Sequence, residues 1–134
     1  MRLGTHSHIL TNVGTAGAQD GACEVFVFDE ERVARARAAL LDDASAQDTA
    51  ELFKMLAHPT RLQILRALAD EELCVCDLAQ VVGLSVSATS YQLQAMRRAG
   101  LLRCRSEGKL AYYRAADGFV LALLRDALQH LREI

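Results

Sequence analysis

Two short predicted helices, joined by one tight turn and followed by a predicted β-hairpin, constrain the fold of this chain more than any other feature. Residues 74–83 carry apolar side chains at helical spacing, and Gly83 stands where a left-handed glycine closes a helix. Ser85 can cap a second helix, over residues 86–99. Two extended segments follow within residues 101–114, around a turn that contains glycine. This order predicts a winged helix-turn-helix.

The residues on either side of this unit add further helices, so the chain is predicted to be mostly α, an α+β protein. Acidic residues at 29–31 suit the start of a helix, Ser45 can cap another, and Pro59 fits the first position of a third. The last stretch, 117–134, has an apolar stripe so broad that it needs a partner. We therefore expect about five to six helices, a two-stranded β-hairpin wing and a homodimer.

Composition indicates a single folded domain with a tail. The chain has 134 residues, of which 51% are hydrophobic, which is enough to bury a core. Residues 1–22 are rich in glycine and have no helical or strand period, so they are predicted to be a mobile N-terminal arm, and residues 23–134 the domain. No run approaches the roughly 18 apolar residues of a membrane helix, and the start does not resemble a signal peptide. We expect a cytoplasmic protein without membrane contact.

Charge is distributed unevenly along the chain. The formal net charge of −2 argues against a nucleic-acid binder, because duplex DNA demands local positive charge. Residues 97–114, however, hold six basic side chains and one acid, so this segment carries +5 and the rest of the chain −7. The predicted wing and the end of the helix before it therefore form one basic face.

Short hydrogen-bonding side chains gather on the second helix of the predicted helix-turn-helix, whose N-terminal turn would enter the major groove of duplex DNA. Ser and Thr contact phosphates or bases with little discrimination, whereas Gln can read adenine through two hydrogen bonds. The predicted DNA-binding residues are Ser85, Ser87, Thr89, Ser90, Tyr91, Gln92 and Gln94 on the helix, and Arg97, Arg98, Arg103, Arg105 and Lys109 for the phosphates. The alternative is that the hydroxyl groups cap backbone donors and the arginines form a solvated face.

Cys74 and Cys76 stand at the start of the first helix of that unit. Residues two apart on a continuous helix lie about 200° apart, so the two sulfur atoms could share an ion only at a helix start. If Cys74 is the N-cap residue and Asp77 completes a capping box, both sulfurs lie near the opening turn, where backbone N–H groups favour thiolate. Two thiolates are too few for a soft ion, and Cys23 is the candidate third ligand. Cys104, on an alternating strand, is expected to be a packing residue.

Several segments resemble the ArsR/SmtB family of metal-sensing repressors. They are the metal box Leu73-Cys74-Val75-Cys76-Asp77-Leu78, the segment His58-Pro59-Thr60-Arg61, the recognition helix from Ser85 to Leu93, and the wing Glu107-Gly108-Lys109-Leu110-Ala111-Tyr112-Tyr113. The segment that begins Cys23-Glu24-Val25-Phe26-Val27-Phe28 is similar to that of the CadC-like, cadmium- and lead-responsive members. The resemblance implies a sensing site of Cys23, Cys74 and Cys76, with Cd(II), Pb(II) or Zn(II) as inducer and no organic cofactor.

The sensing site departs from the CadC-like pattern in one ligand. Val27 stands where those members have a further thiolate, so the resemblance implies a three-sulfur site, with water, His6, His8 or an acid where a fourth ligand is needed. Ala79 stands where arsenic sensors of the family have another box cysteine. That difference favours a divalent ion over arsenite.

The resemblance also implies a second metal site, between the C-terminal helices of a dimer. Asp117, His130 and Glu133 match three of its four ligands, whereas Phe119 replaces a histidine. Three ligands can hold Zn(II) together with water, although the loss of one imidazole predicts weaker binding. The simpler interpretation of His130 is a surface residue on an amphipathic helix.

Together these features predict a repressor that binds an imperfect palindrome of double-stranded operator DNA without metal and leaves it when a soft divalent ion binds. One alternative is a thiol-redox switch, in which Cys74 and Cys76 oxidise. Another is an arsenite sensor of the same family. Because the sequence has no glycine-rich phosphate loop and no nucleophile motif, an enzyme is not expected.

Overall fold

The computed structural model describes residues 26–133. The elements along this part of the chain are α1 (Glu30–Ala38), α2 (Asp43–Leu56), α3 (Pro59–Ala67), β1 (Leu73–Cys74), α4 (Val75–Val82), α5 (Val86–Arg98), β2 (Leu102–Glu107), β3 (Leu110–Ala115) and α6 (Gly118–Arg132). They confirm the predicted, mostly helical winged helix-turn-helix. The predicted arm over residues 1–22, with His6 and His8, and the predicted ligand Cys23 lie outside the described residues.

The chain divides into two compact units, and α1 belongs to the first unit, which ends at Asp42. The carboxylate of Asp29 accepts hydrogen bonds from the backbone N–H groups of Glu31 and Arg32, at 2.9 and 3.1 Å, and so caps α1. Acidic residues in the first turn and basic residues in the last both favour a helix, because they oppose its dipole. The acidic start predicted from the sequence is confirmed.

The second unit begins at Asp43 with α2, two residues before the predicted cap at Ser45. Ser45 lies inside the first turn, where its carbonyl oxygen accepts a hydrogen bond from the Thr49 hydroxyl at 2.7 Å. The cap prediction at Ser45 is therefore wrong. Pro59 does occupy the start of α3, and His58 before it is extended, with φ −151° and ψ 118°. A proline disfavours helical conformation in the preceding residue, so α2 and α3 separate there.

The turn between α4 and α5 follows the sequence prediction. Gly83 closes α4 in left-handed conformation, with φ 74°, and its N–H donates to the carbonyl oxygen of Ala79 at 2.9 Å. Ser85 caps α5, since its hydroxyl oxygen accepts a hydrogen bond from the N–H of Ala88 at 3.0 Å. The two helices of the helix-turn-helix are thus fixed by residues within the turn itself.

The wing sheet has three strands in the order β1-β3-β2, not the predicted two. β2 and β3 form the expected antiparallel hairpin, and β1 adds the pairs Leu73–Tyr113 and Cys74–Tyr112 on the other edge of β3. A strand of two residues is too short to show alternation in the sequence, so periodicity does not indicate β1. The sheet therefore extends to the residues that begin α4.

The core of the second unit draws on every helix from α2 to α6 and on the wing. Its buried members are Leu56, Ile64, Leu65, Leu68, Leu78, Leu93, Met96, Leu101, Leu102, Tyr113 and Val120. On α6 only Val120 of the predicted apolar stripe is buried, while Leu128 and Leu131 are exposed. Among the described residues, no helix has the length and apolar character needed to cross a membrane.

Candidate nucleic-acid interface and thiol site

Four side chains form the outward face of α5. The buried side of this helix consists of Thr89, Leu93 and Met96. Opposite to it, at intervals of four, three and four residues, lie the exposed side chains of Ser87, Tyr91, Gln94 and Arg98. A hydroxyl, a phenol, an amide and a guanidinium thus share one solvent-facing stripe, which we call the reading face.

Thr89 was predicted to contact DNA, and the structure contradicts this. Its side chain is 0% exposed, and its hydroxyl donates a hydrogen bond to the carbonyl oxygen of Ser85 at 2.8 Å. Thr89 lies four residues before Leu93, which lies three residues before Met96, so all three share the buried side of α5. Its position on the helix, rather than its polarity, decides that Thr89 is buried.

Two more polar residues of α5 are partly engaged within the protein. The amide oxygen of Gln92 accepts a hydrogen bond from Nε of Arg61 at 2.8 Å. Arg61 also donates to the carbonyl oxygen of Met55 at 3.2 Å, so it ties α5 to the end of α2. Ser90 is half-buried, and its hydroxyl oxygen accepts a hydrogen bond from the Gln94 amide at 3.1 Å. Sequence reasoning missed Arg61, because its partner lies on a distant helix.

Exposed arginines surround an open cavity of about 570 Å³ beside the wing. Its lining includes Arg97, Arg103, Arg105 and Arg114. Arg103 and Arg114 stand directly opposite each other in the β2–β3 ladder. Because like charges in that position repel, an anion bound between them would be stabilising. Sequence reasoning did not assign Arg114 a role, since the pairing register was unknown.

Arg105 differs from the other basic side chains of the wing because carboxylates flank it. Its Nε lies 2.9 and 3.1 Å from the two carboxylate oxygens of Glu72, and Nη2 lies 2.8 Å from the nearer one. Its Nη1 donates to Glu107 at 2.9 Å. The guanidinium also lies 4.7 Å from the ring centre of Tyr112. The hydrogen bonds with Glu72 and Glu107 raise the pKa of Arg105 above its ordinary value. Two carboxylates therefore already contact the guanidinium that the sequence predicts to bind phosphate.

The two thiols at the start of α4 lie in different environments. Cys74 is the N-cap residue, as predicted, and is 7% exposed, whereas Cys76 is exposed. The predicted capping box is wrong, because the Cys74 side chain makes no capping hydrogen bond. Its extended backbone, with φ −83° and ψ 168°, is instead fixed by the ladder with Tyr112. The sulfur atom is therefore not engaged in holding the helix end.

A complete metal site is not assembled within residues 26–133. This part of the chain contains no group of three or more His, Cys, Asp or Glu side chains arranged to hold an ion. The predicted third sulfur ligand, Cys23, lies outside it. Cys104 is half-buried in β2, opposite Tyr113, and packs against the core as predicted. Burial, and next a hydrogen bond with Cys104, raise the pKa of Tyr113.

The residues of the predicted second site lie at opposite ends of α6. The carboxylate of Asp117 accepts a hydrogen bond from the N–H of Phe119 at 2.9 Å and caps the helix. His130 and Glu133 are exposed near the other end, about 20 Å away at 1.5 Å per residue. One chain therefore cannot bring Asp117 and His130 to a common ion, and such a site needs a second copy.

Comparison with known proteins identifies one family. Residues 58–103, from the N-cap of α3 to the second residue of β2, match the family described as bacterial regulatory protein, arsR family. The chain is 40% identical over 111 residues to the transcriptional repressor SmtB homolog of Synechocystis sp., covering 83% of this chain and 84% of that protein. It is 38% identical over 113 residues to the cadmium resistance transcriptional regulatory protein CadC homolog of Staphylococcus aureus, covering 84% and 93%.

Solved structures are also similar to more than two thirds of this chain. The AntR antimony-specific transcriptional repressor aligns with a TM-score of 0.65 at 41% identity, covering 70% of this chain and 86% of that one. The homodimeric winged helix-turn-helix DNA-binding domain from Mycobacterium bovis aligns with a TM-score of 0.61 at 35% identity, covering 72% and 95%. The descriptions of these four proteins name regulators of transcription and no enzyme.

Proposed function

Because the chain belongs to the ArsR family of bacterial regulatory proteins, we propose that it represses transcription by binding operator DNA as a metal-free homodimer. A soft divalent metal ion then binds at the cysteines and releases the DNA. The DNA, dimer and metal parts of this proposal rest on different residues.

The reading face of α5 supports DNA binding. A helix with its side chains is about 10–12 Å wide and fits the major groove of B-DNA, which is about 12 Å wide. Ser87, Tyr91 and Gln94 would then contact the edges of DNA bases, and Arg98 would contact the sugar-phosphate backbone of the DNA. Further phosphate contacts would come from Ser85 and Ser90, at the start and on the side of the helix. The exposed basic side chains of Arg97, Arg103 and Lys109 would add more.

Exposed apolar side chains on α6 support a homodimer. Phe119, Leu128 and Leu131 are 58%, 39% and 62% exposed, and a second copy of the chain would remove them from water. The homodimeric neighbour from Mycobacterium bovis is consistent with this assembly. Twofold symmetry would hold two copies of α5 about 34 Å apart, one turn of DNA, so the operator would be an imperfect palindrome.

The donor set at the start of α4 fits a soft metal ion. Thiolates select Cd(II), Zn(II) and similar ions over hard ones. Cys74 and Cys76 would bind the ion with Cys23 as third ligand, and water, His6, His8 or a carboxylate could complete the set. The similarity to a cadmium resistance regulator favours Cd(II), Pb(II) or Zn(II) as inducer.

One observation carries the proposal: a residue that supplies a thiol, Cys74, is also the N-cap residue of α4, and α4 packs against α5. An ion at Cys74 would therefore act on the backbone that positions the reading face. Coupling of this kind is typically about 1–3 kcal/mol, and DNA must weaken metal binding by the same amount.

Fluorescence anisotropy tests the proposal with a labelled duplex that the metal-free protein selects from a random library. In reducing buffer, we expect Cd(II), Pb(II) or Zn(II) to weaken binding by about 5- to 150-fold. Cys23→Ser, Cys74→Ser and Cys76→Ser should abolish this response and the ultraviolet sulfur-to-metal absorption, whereas the control Cys104→Ser should keep both. Unchanged DNA affinity with all three ions would overturn the proposal. Release by peroxide in metal-free buffer, reversed by reductant, would instead identify a redox switch.

A trivalent ion is the second candidate inducer, because the chain is 41% identical to the AntR antimony-specific repressor over the aligned region. The same three thiols would bind As(III) or Sb(III). A response to these ions that exceeds the response to Cd(II), and that Cys23→Ser removes, would identify this alternative.

A second, weaker zinc site would form between the two copies of α6, from Asp117 of one protomer and His130 and Glu133 of its partner. The two copies are needed because Asp117 and His130 lie at opposite ends of α6 within one chain, and the site is weaker because Phe119 stands in place of an imidazole. Competition with a zinc chelator should show one weak site per protomer that His130→Ala removes. An unchanged stoichiometry in His130→Ala would contradict it.

A further inference from the structure

Two separate contacts join the thiol segment, residues 72–76, to the wing, which we define as β2, β3 and their turn. The first is the backbone ladder, in which Cys74 pairs with Tyr112 of β3. The second is the ion pair between Glu72, two residues before Cys74, and Arg105 of β2. Since Tyr112 and Arg105 are also opposite each other in the sheet, these residues close a ring that runs from the thiol segment through both strands of the wing.

The charges around Arg105 make it a poor phosphate ligand. Glu72 and Glu107 together carry two negative charges against one on the guanidinium, and they accept hydrogen bonds from all three of its nitrogen atoms. A phosphate would have to displace a carboxylate to reach this side chain. Arg103, two residues earlier in β2, is exposed and has no ion pair among the described residues.

Glu72 likewise differs from its neighbour Glu71 in its contacts with the wing. Its side chain is 26% exposed and is held by three contacts to Arg105. Glu71 is exposed and makes no ion pair within residues 26–133. The two carboxylates therefore lie at similar distances along the chain from the thiols, but only Glu72 reaches the wing.

We propose that Glu72 and Arg105 are positioning residues, which transmit metal binding at the cysteines to the wing, and that Arg105 does not bind DNA phosphate. This inference rests on the proposed function, because it concerns how the ion releases DNA. Metal binding at the cysteines would shift the thiol segment, and Glu72 would shift with Cys74. Through Arg105 this shift would reach β2 and the turn with Lys109, and so change the contact of the wing with the DNA backbone.

The salt dependence of metal-free DNA binding tests the role of Arg105 without any metal. Each phosphate contact contributes about 0.9 to the slope of log affinity against log salt concentration, so a symmetric dimer loses about 1.8 when one contact per protomer is removed. We expect that loss in Arg103→Gln, the matched control on the same strand, and an unchanged slope in Arg105→Gln. Equal losses in both variants would overturn the assignment of Arg105.

The metal response tests the role of Glu72. Glu72→Gln removes one of the two carboxylates that hold Arg105, so the salt slope should steepen. The fall in DNA affinity caused by Cd(II) should shrink by at least about threefold, within the range by which single substitutions change coupling. Glu71→Gln, which makes the same charge change one residue away, should respond as wild type does. The double variant Glu72→Gln/Arg105→Gln should respond no less than the single variants do, because both substitutions break one contact.

The outcomes separate this inference from the proposed function. If the wild-type protein responds to Cd(II) and Glu72→Gln responds equally, the coupling role is wrong and the proposed function stands. If Glu71→Gln loses as much response as Glu72→Gln, a general effect of acidic residues on the cation replaces the specific contact. If the wild-type protein does not respond to any metal, both fall, and the salt slopes alone still decide whether Arg105 binds phosphate.

Discussion

Thr89→Val tests whether burial, rather than polarity, decides which side chains of α5 contact DNA. Thr89 is 0% exposed, and valine has the same shape with a methyl group in place of the hydroxyl. We expect the DNA affinity of this variant to stay within about twofold of wild type, a difference of about 0.4 kcal/mol, because the altered atom is buried and contacts no DNA.

The expected change in stability follows from the partners of the hydroxyl. It donates to the carbonyl oxygen of Ser85, which also accepts the backbone N–H of Thr89 at 3.0 Å and so keeps a partner in the variant. Loss of the hydrogen bond therefore costs about 0.5 kcal/mol, the low end of the usual range. Burial of the new methyl group gains about 0.8 kcal/mol. The sum is near zero, so the unfolding midpoint should move by less than about 4 °C.

Circular dichroism melting and fluorescence anisotropy on the same samples measure the two quantities. The control is Ser87→Ala, on the reading face, which we expect to weaken operator binding while leaving the melting temperature unchanged. A Thr89→Val protein that melts normally but binds DNA more than about tenfold more weakly, a loss of 1.4 kcal/mol, would refute the reasoning from burial.

Four further predictions concern single residues. Gly83→Ala should lower the free energy of unfolding by about 1–2 kcal/mol in urea titrations, because its φ of 74° strains any residue with a Cβ atom. Arg61→Ala should destabilise the fold by about 1–3 kcal/mol, measured in the same way, since it leaves the Gln92 amide oxygen and the Met55 carbonyl without their charged donor. Gln94→Ala should weaken operator binding by about 1–3 kcal/mol in anisotropy titrations and leave the salt slope unchanged, as expected for a base contact. Burial raises the pKa of Tyr113. The contribution of Tyr113 to stability is therefore complete below about pH 10 and is lost as the pH rises through the folded-state pKa. In urea titrations, Tyr113→Phe should lose less stability than wild type does between neutral and alkaline pH.

Features that depend on neighbours in sequence were predictable. Pro59, Gly83 and Ser85 each act on a backbone group within a few residues, so their roles follow from local chemistry alone. The error at Ser45 belongs to the same class: Asp43 begins α2 two residues earlier, and a residue of the cap type can also lie within the first turn.

Features that depend on distant residues were not predictable in the same way. Glu72 and Arg105 are 33 residues apart, and nothing near either residue indicates the other. The two-residue strand β1 forms because β3 lies beside it, not because its own sequence alternates. For the thiol site, the position of Cys74 at the start of a helix was predictable from spacing, whereas its burial and its pairing with Tyr112 in the sheet were not. The role of Cys23 stays a prediction.

The residues that would select the operator sequence are separate from the residues that would select the ion. Its four residues, Ser87, Tyr91, Gln94 and Arg98, point away from the core, and none of them belongs to the thiol segment or to the ring through Glu72 and Arg105. New side chains at these four positions should therefore change which promoter the protein occupies without changing the ion that it detects. The chain could serve as a scaffold for engineered biosensors, in which one set of positions sets the output and another sets the input.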